Sequence, residues 1–147
     1  MTVRAMTAAD IGAVAALERA CFSEPWSEAA LREELTNPCA AFQVAVGDDG
    51  AVLGYCGMHL VGDEGFIANV AVSPDARRQG IARALLARRI EDGRSRGLYR
   101  LTLEVRAGNR PAIALYEGAG FIRDGVRPGF YRDPAEDAAV YSYYFAV

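Results

Sequence analysis

The stretch from Asn69 to Leu86 constrains this chain more than any other. A short apolar run, Val70-Ala71-Val72, feeds the turn Ser73-Pro74-Asp75 and then an arginine-rich segment in which Gly80 opens a helix. The spacing puts Ile81, Leu85 and Leu86 on one side of that helix. A strand that ends in such a turn aims several unpaired backbone N–H groups at one point. The helix dipole adds positive potential there, so the point suits an anion.

The charge pattern bears on the same stretch. All sixteen basic residues are arginine, and the net charge of −3 hides a split. Residues 1–64 carry ten acids against three arginines, whereas residues 77–100 carry eight arginines against Glu91 and Asp92. The basic run reads either as a solvated helix face or as a seat for an anionic ligand. Nucleic acid is not expected as a partner, because the chain is acidic as a whole and no aromatic-and-basic stripe occurs.

At 147 residues and 52% hydrophobic, one domain spanning 1–147 is the simplest organisation, and a chain of this size buries roughly 70% of its unfolded surface. No run approaches the roughly 18 apolar residues of a membrane span, and no basic-then-apolar leader precedes Asp10. The expectation is a cytoplasmic protein without a membrane partner. Cys21, Cys39 and Cys56 are too widely spaced for a zinc site or disulfide framework, so reduced and mostly buried thiols are expected. His59 is the single histidine, and no metal is expected.

In chain order, Thr2 to Met6 reads as a strand and Thr7 with Asp10 starts a helix ending near Cys21. The link Phe22-Ser23-Glu24-Pro25-Trp26 interrupts it, and Ser27 with Glu28 reopens a short helix that stops at Asn37-Pro38. Trp26 reads equally as a packing corner and as a substrate contact. Phe42 to Val46, Val52 to Leu60 and Phe66 to Val72 form an antiparallel meander around two glycine-rich turns. The helix from Gly80 to about Arg96 carries Arg89 and Gly93 where its apolar stripe ought to continue, so its last turns are expected to be loose or partly exposed. Leu101 to Val105 alternates as a strand, and Asn109 caps a helix with Pro111 in its first turn. Phe121 to Val126 reads as a strand, Arg127 to Glu136 as a turn-rich loop, and Val140 to Phe145 as a closing strand.

Two blocks carry a family resemblance. One is Arg77-Arg78-Gln79-Gly80-Ile81-Ala82; the other runs from Leu103-Glu104-Val105-Arg106 through Asn109 to Leu115-Tyr116 and Gly120-Phe121. With the Cys21–Ser27 link and the order of elements, they make the chain resemble the GNAT-superfamily N-acetyltransferases over nearly its whole length. Among these it is similar to the RimI-type enzymes, which acetylate the N-terminal alanine of a small-subunit ribosomal protein. The resemblance implies an α+β fold, a mixed and mostly antiparallel sheet flanked by helices and splayed between its fourth and fifth strands to admit acetyl-CoA.

It also implies residue roles. Arg77, Arg78, Gln79, Gly80, Ile81, Ala82 and Arg83 would hold the pyrophosphate, and Val70, Ala71 and Val72 the pantetheine and thioester carbonyl through backbone groups. Asn109 would serve as helix cap and cofactor partner at once. Glu104 sits on the polar side of an apolar strand, where it reads as a structural ion pair or as the general base. Tyr116 reads as a core residue or as the acid that protonates the departing thiolate. An α-amine near pKa 7.8 costs about 1.1 kcal/mol to deprotonate at pH 7, against roughly 4.6 kcal/mol for a lysine. A weak base therefore suits an N-terminal acceptor.

Phe22, Trp26 and Tyr131 are the expected acceptor contacts, although Pro128-Gly129-Phe130 departs from the more polar family loop. The expected partner is a protein N-terminus, with the enzyme a monomer or weak dimer. The alternatives are a GNAT enzyme acting on lysine or small amines, and a non-catalytic acetyl-CoA sensor.

Overall fold

Alternating side chains pin the strands of this chain to two apolar layers, one on each face of a single sheet. The computed structural model describes residues 1–146. Its elements are β1 (Thr2–Ala5), α1 (Ile11–Cys21), α2 (Glu28–Glu34), β2 (Ala40–Val46), β3 (Val52–Val61), β4 (Glu64–Val72), α3 (Ile81–Ser95), β5 (Arg100–Arg106), α4 (Arg110–Gly118), β6 (Ile122–Tyr131) and β7 (Glu136–Tyr144). The seven strands are ordered β1-β2-β3-β4-β5-β7-β6. Among the described residues only the β4–β5 pairing is parallel. No helix among the described residues is long and apolar enough to cross a membrane.

On one face α1 and α2 bury Ile11, Val14 and Leu31 against Phe42, Val44 and Tyr55. On the other, α3 and α4 bury Ile81, Leu85, Leu86 and Tyr116 against Met58, Leu101, Leu103 and Val105. Leu85 and Leu86 are fully buried, so truncating either to alanine costs on the order of 2–5 kcal/mol. Thr7 and Asp10 cap the short 3-10 turn Ala8–Asp10 that leads into α1: Asp10 accepts from the Thr7 N–H at 2.8 Å and takes a forked bond from Arg4 at 2.8 and 3.0 Å. Arg4 holds the Asp10 carboxyl below its ordinary range.

Three expectations need correction. The end of α3 is not loose, because Arg89 is fully buried and gives a hydrogen bond to the Cys56 carbonyl at 3.1 Å, with Asp92 at 3.5 Å. Gly93 is buried too, and a Cβ there would come within 2.6 Å of Phe145. The segment Arg127–Glu136 is not all loop, since β6 runs on to Tyr131, which pairs with Glu136. Pro128 is tolerated because β6 is the edge of the sheet, where a missing N–H has no ladder to break. Of the cysteines only Cys56 is buried, while Cys21 is half-buried and Cys39 exposed.

Candidate active site

Two features of β4 open the sheet. Gly57 faces Asn69 and the next residue, Met58, faces Ile67, so Ala68 is an extra residue bulged out of the β3–β4 ladder. The parallel pairing of β4 with β5 covers only Glu64–Ile67 against Arg100–Leu103. Beyond it, β4 follows β3 and β5 follows β7, and the facing edges part. A cavity of about 430 Å³ lies between them. Ala68, Asn69 and Val70 form one wall and Glu104, Val105 and Arg106 the other. Asn109 and Tyr116 of α4, the link at Phe22 and Trp26, and the end of β6 at Phe130 and Tyr131 close it.

Seven of the sixteen expected site residues meet here: Phe22, Trp26, Val70, Glu104, Asn109, Tyr116 and Tyr131. Glu104 lies between the buried Leu103 and Val105 and lines the cavity, and Arg127 Nε, which does not, stands 3.3 Å from its Oε1. Tyr116 is 8% exposed, and burial pushes its phenol well above the ordinary tyrosine range. Among the described residues its hydroxyl has no hydrogen-bond partner and is not sealed off from the cavity. It is therefore held as a neutral O–H, free to donate. The Tyr131 phenol is pushed up to about 12, first by burial and then by the Glu104 charge.

Tyr131 is held by Arg106, whose guanidinium carbon lies 4.5 Å from the ring centre. Arg106 also donates to the carbonyls of Arg132 at 2.9 Å and Pro134 at 2.8 Å, fastening the β6–β7 turn to β5. Asn109 accepts from the Ala112 N–H at 3.3 Å and so caps α4 while lining the cavity. Trp26 forms the packing corner, set against Phe42 and stacked on His59, and it also lines the cavity. His59 Nε2 lies 2.9 Å from Glu34, and neither residue lines the cavity.

The arginine-rich turn stands apart. Ala71, Val72 and residues 77–83 do not line the cavity. Ala71 is packed toward α1, and Ile81, the first residue of α3, is buried against the sheet, so only their backbone groups could serve a ligand. The turn adjoins the cavity rim through Cys21, whose thiol donates to the Val72 carbonyl at 3.5 Å and lies 3.7 Å from the Arg77 guanidinium. Arg78 and Gly80 both take left-handed backbone, at φ 66° and 76°. Arg77, Arg78 and Arg83 are exposed and make no ion pair among the described residues. A turn of this kind, with free arginines at a helix start, suits the phosphates of a nucleotide-bearing thioester.

Glu18 was missed by the sequence reading. It is fully buried and accepts three hydrogen bonds, from Trp26 N at 2.8 Å, Asn69 Nδ2 at 2.9 Å and Tyr55 Oη at 2.5 Å. The available signal was an acid four residues after Val14, on the apolar side of α1. Asn69, Arg127 and Cys21 fall within or beside stretches that the sequence marks, but nothing in the sequence singles them out as site residues.

Residues 11–121 match the acetyltransferase (GNAT) family. The chain is 36% identical over 141 residues to the [ribosomal protein bS18]-alanine N-acetyltransferase of Escherichia coli (strain K12), covering 95% of this chain and 94% of that one. It is 35% identical over 144 residues to the N-alpha-acetyltransferase RimI of Mycobacterium tuberculosis, covering 94% and 89%. The crystal structure of the ribosomal-protein-S18-alanine N-acetyltransferase from Escherichia coli superposes with a TM-score of 0.91 at 32% identity, over 99% of this chain and 94% of that one.

Proposed function

Since this chain belongs to the GNAT acetyltransferase family, we propose that it transfers acetyl from acetyl-CoA directly to the N-terminal α-amine of a protein. The names of its relatives point to the N-terminal alanine of a ribosomal protein as the acceptor, and such an acceptor would be met in the cytoplasm.

The observation that carries this reading is the parting of β4 and β5, which brings Glu104 and Tyr116 to one cavity. Acetyl-CoA supplies the acetyl group as a thioester. Arg77, Arg78, Gln79, Gly80, Ala82 and Arg83, with the Ile81 backbone, bind the phosphates. The backbone of Val70, Ala71 and Val72 offers hydrogen bonds along the open edge of β4, and Asn109 contributes from the start of α4. Glu104 takes the proton of the acceptor amine, and Tyr116 holds the proton that the departing thiolate needs. Phe22, Trp26 and Tyr131 surround the acceptor.

The test is thiol release from acetyl-CoA with an alanine-initiated peptide, its N-acetylated twin and a lysine-containing blocked peptide. Turnover with the free N-terminus alone is expected. Turnover with the blocked lysine peptide would transfer the reading to a side-chain acetylase, and silence with every amine despite acetyl-CoA binding would make the protein a sensor.

A further inference from the structure

Asn69 pairs with Gly57 just past the Ala68 bulge, where β4 turns away from β5, and it lines the cavity across from Glu104. One end of its carboxamide is already committed. Glu18 can only accept as a carboxylate, so the Asn69 atom 2.9 Å from its Oε2 is the NH2 group. The carboxamide oxygen sits at the opposite corner. It takes no hydrogen among the described residues, and it is not among the sealed, unpaired buried atoms.

Glu18 is itself fixed from three directions. The Trp26 N–H belongs to the link, the Tyr55 hydroxyl to β3 and the Asn69 amide to β4. One buried carboxylate therefore ties the β4 wall and the link that closes the cavity to α1. All three neighbours act as donors, and the carboxamide can face Glu18 only with its nitrogen.

We infer that Asn69 is an acceptor-binding residue whose carboxamide oxygen receives an N–H of the incoming peptide, and that Glu18 is the positioning residue that sets the orientation of that carboxamide. The inference rests on the N-terminal acetyl transfer proposed above. A peptide N-terminus brings N–H groups on both its α-amine and its first amide, and the Asn69 oxygen and Glu104 carboxylate offer acceptors on the two facing walls. Acetyl-CoA is held elsewhere on this reading, by the turn and the strand backbone, so Asn69 acts on acceptor affinity.

Glu18→Gln reverses the arrangement. With its oxygen kept for the Trp26 N–H, the new NH2 faces Asn69, which pairs by turning its own oxygen inward and its NH2 toward the cavity. Asn69→Ala removes the oxygen outright at a half-buried position, where folding is least endangered. Both variants are expected to raise KM for an alanine-initiated peptide about tenfold, with kcat within about twofold and acetyl-CoA affinity unchanged. The double variant is expected to be no worse than either single one. Unchanged peptide KM in Asn69→Ala, or a loss that falls on acetyl-CoA affinity instead, overturns the binding role. Additive losses in the double variant overturn the positioning role. Should Glu18→Gln fail to fold, Asn69→Ala decides the binding role alone. An inert wild-type enzyme would overturn the acetyl-transfer reading itself, whereas an active one with unmoved KM values overturns only this inference.

Discussion

Arg127 Nε lies 3.3 Å from Glu104 Oε1, joining the edge strand of the sheet to the residue proposed as its base. The arginine side chain is 57% exposed and the carboxylate 27%. An ion pair this open contributes at most about 1 kcal/mol to stability. Holding the fold together is therefore a weak reason for Glu104 to be there. Arg127→Gln is expected to change the unfolding free energy by less than about 1 kcal/mol, while Glu104→Gln lowers kcat by about a hundredfold or more with acetyl-CoA affinity kept. Denaturant melts and steady-state kinetics on the two variants check this. A fully active Glu104→Gln enzyme would return the carboxylate to a structural role.

Tyr116 and Tyr131 allow a test in alkali. Burial raises both phenols above the unfolded value, Tyr131 to about 12. A raised folded pKa means that the folded state binds the proton more tightly. The resulting stability is fully present below about pH 10 and fades as the pH climbs through the folded value. An ultraviolet titration of the seven tyrosines is expected to contain a late fraction, and Tyr116→Phe and Tyr131→Phe each to remove one phenol from it. Tyr116→Phe is also expected to cut kcat by about a hundredfold. Loss of signal from the early fraction instead would mean that these phenols are not buried in solution.

The left-handed turn separates stability from binding. Arg78 holds φ 66° with a side chain that disfavours it, and Gly80 holds φ 76° with no atom near a would-be Cβ. Arg78→Gly is expected to gain up to about 1 kcal/mol in stability while weakening acetyl-CoA about tenfold. Gly80→Ala is expected to lose about 1 kcal/mol from backbone strain alone. Calorimetric binding and thermal unfolding report the two quantities separately, and unchanged acetyl-CoA affinity in Arg78→Gly would remove that residue from the phosphate site.

Asp10 makes the acid side of the stability profile testable. Its carboxyl is held below the ordinary range, chiefly by the Arg4 bond. A depressed folded pKa gives stability that is present above the unfolded value, near 3.9, and is lost as the pH falls through the folded one. Asp10→Asn is expected to cost about 1 kcal/mol at neutral pH, and the gap to wild type is expected to close below about pH 4. A gap that persists in acid would assign the effect to packing.

What the sequence made legible was local. Turn residues, caps and alternation marked the strands and helices, and the Glu104 and Tyr116 blocks stood out against known relatives. What it hid depended on register and burial. Pro128 and Gly129 read as a loop because nothing local says that their strand is an edge. Arg89 read as a defect in α3, since only the packed structure supplies the Cys56 carbonyl and the space left by Gly93 for Phe145. Glu18 looked like one acid among ten in the first 64 residues. Its partners lie 8, 37 and 51 residues away along the chain, beyond the reach of any periodicity.

The four-residue parallel seam between β4 and β5 also has a kinetic meaning. The two strands can zip only after the chain has left the sheet, wound α3 and come back. They then gain few ladder bonds for the loop entropy lost in that closure. Non-local pairings with so small a reward form late. The seam at the foot of the cavity is therefore the portion of the sheet expected to assemble last and, by the same balance, to breathe first.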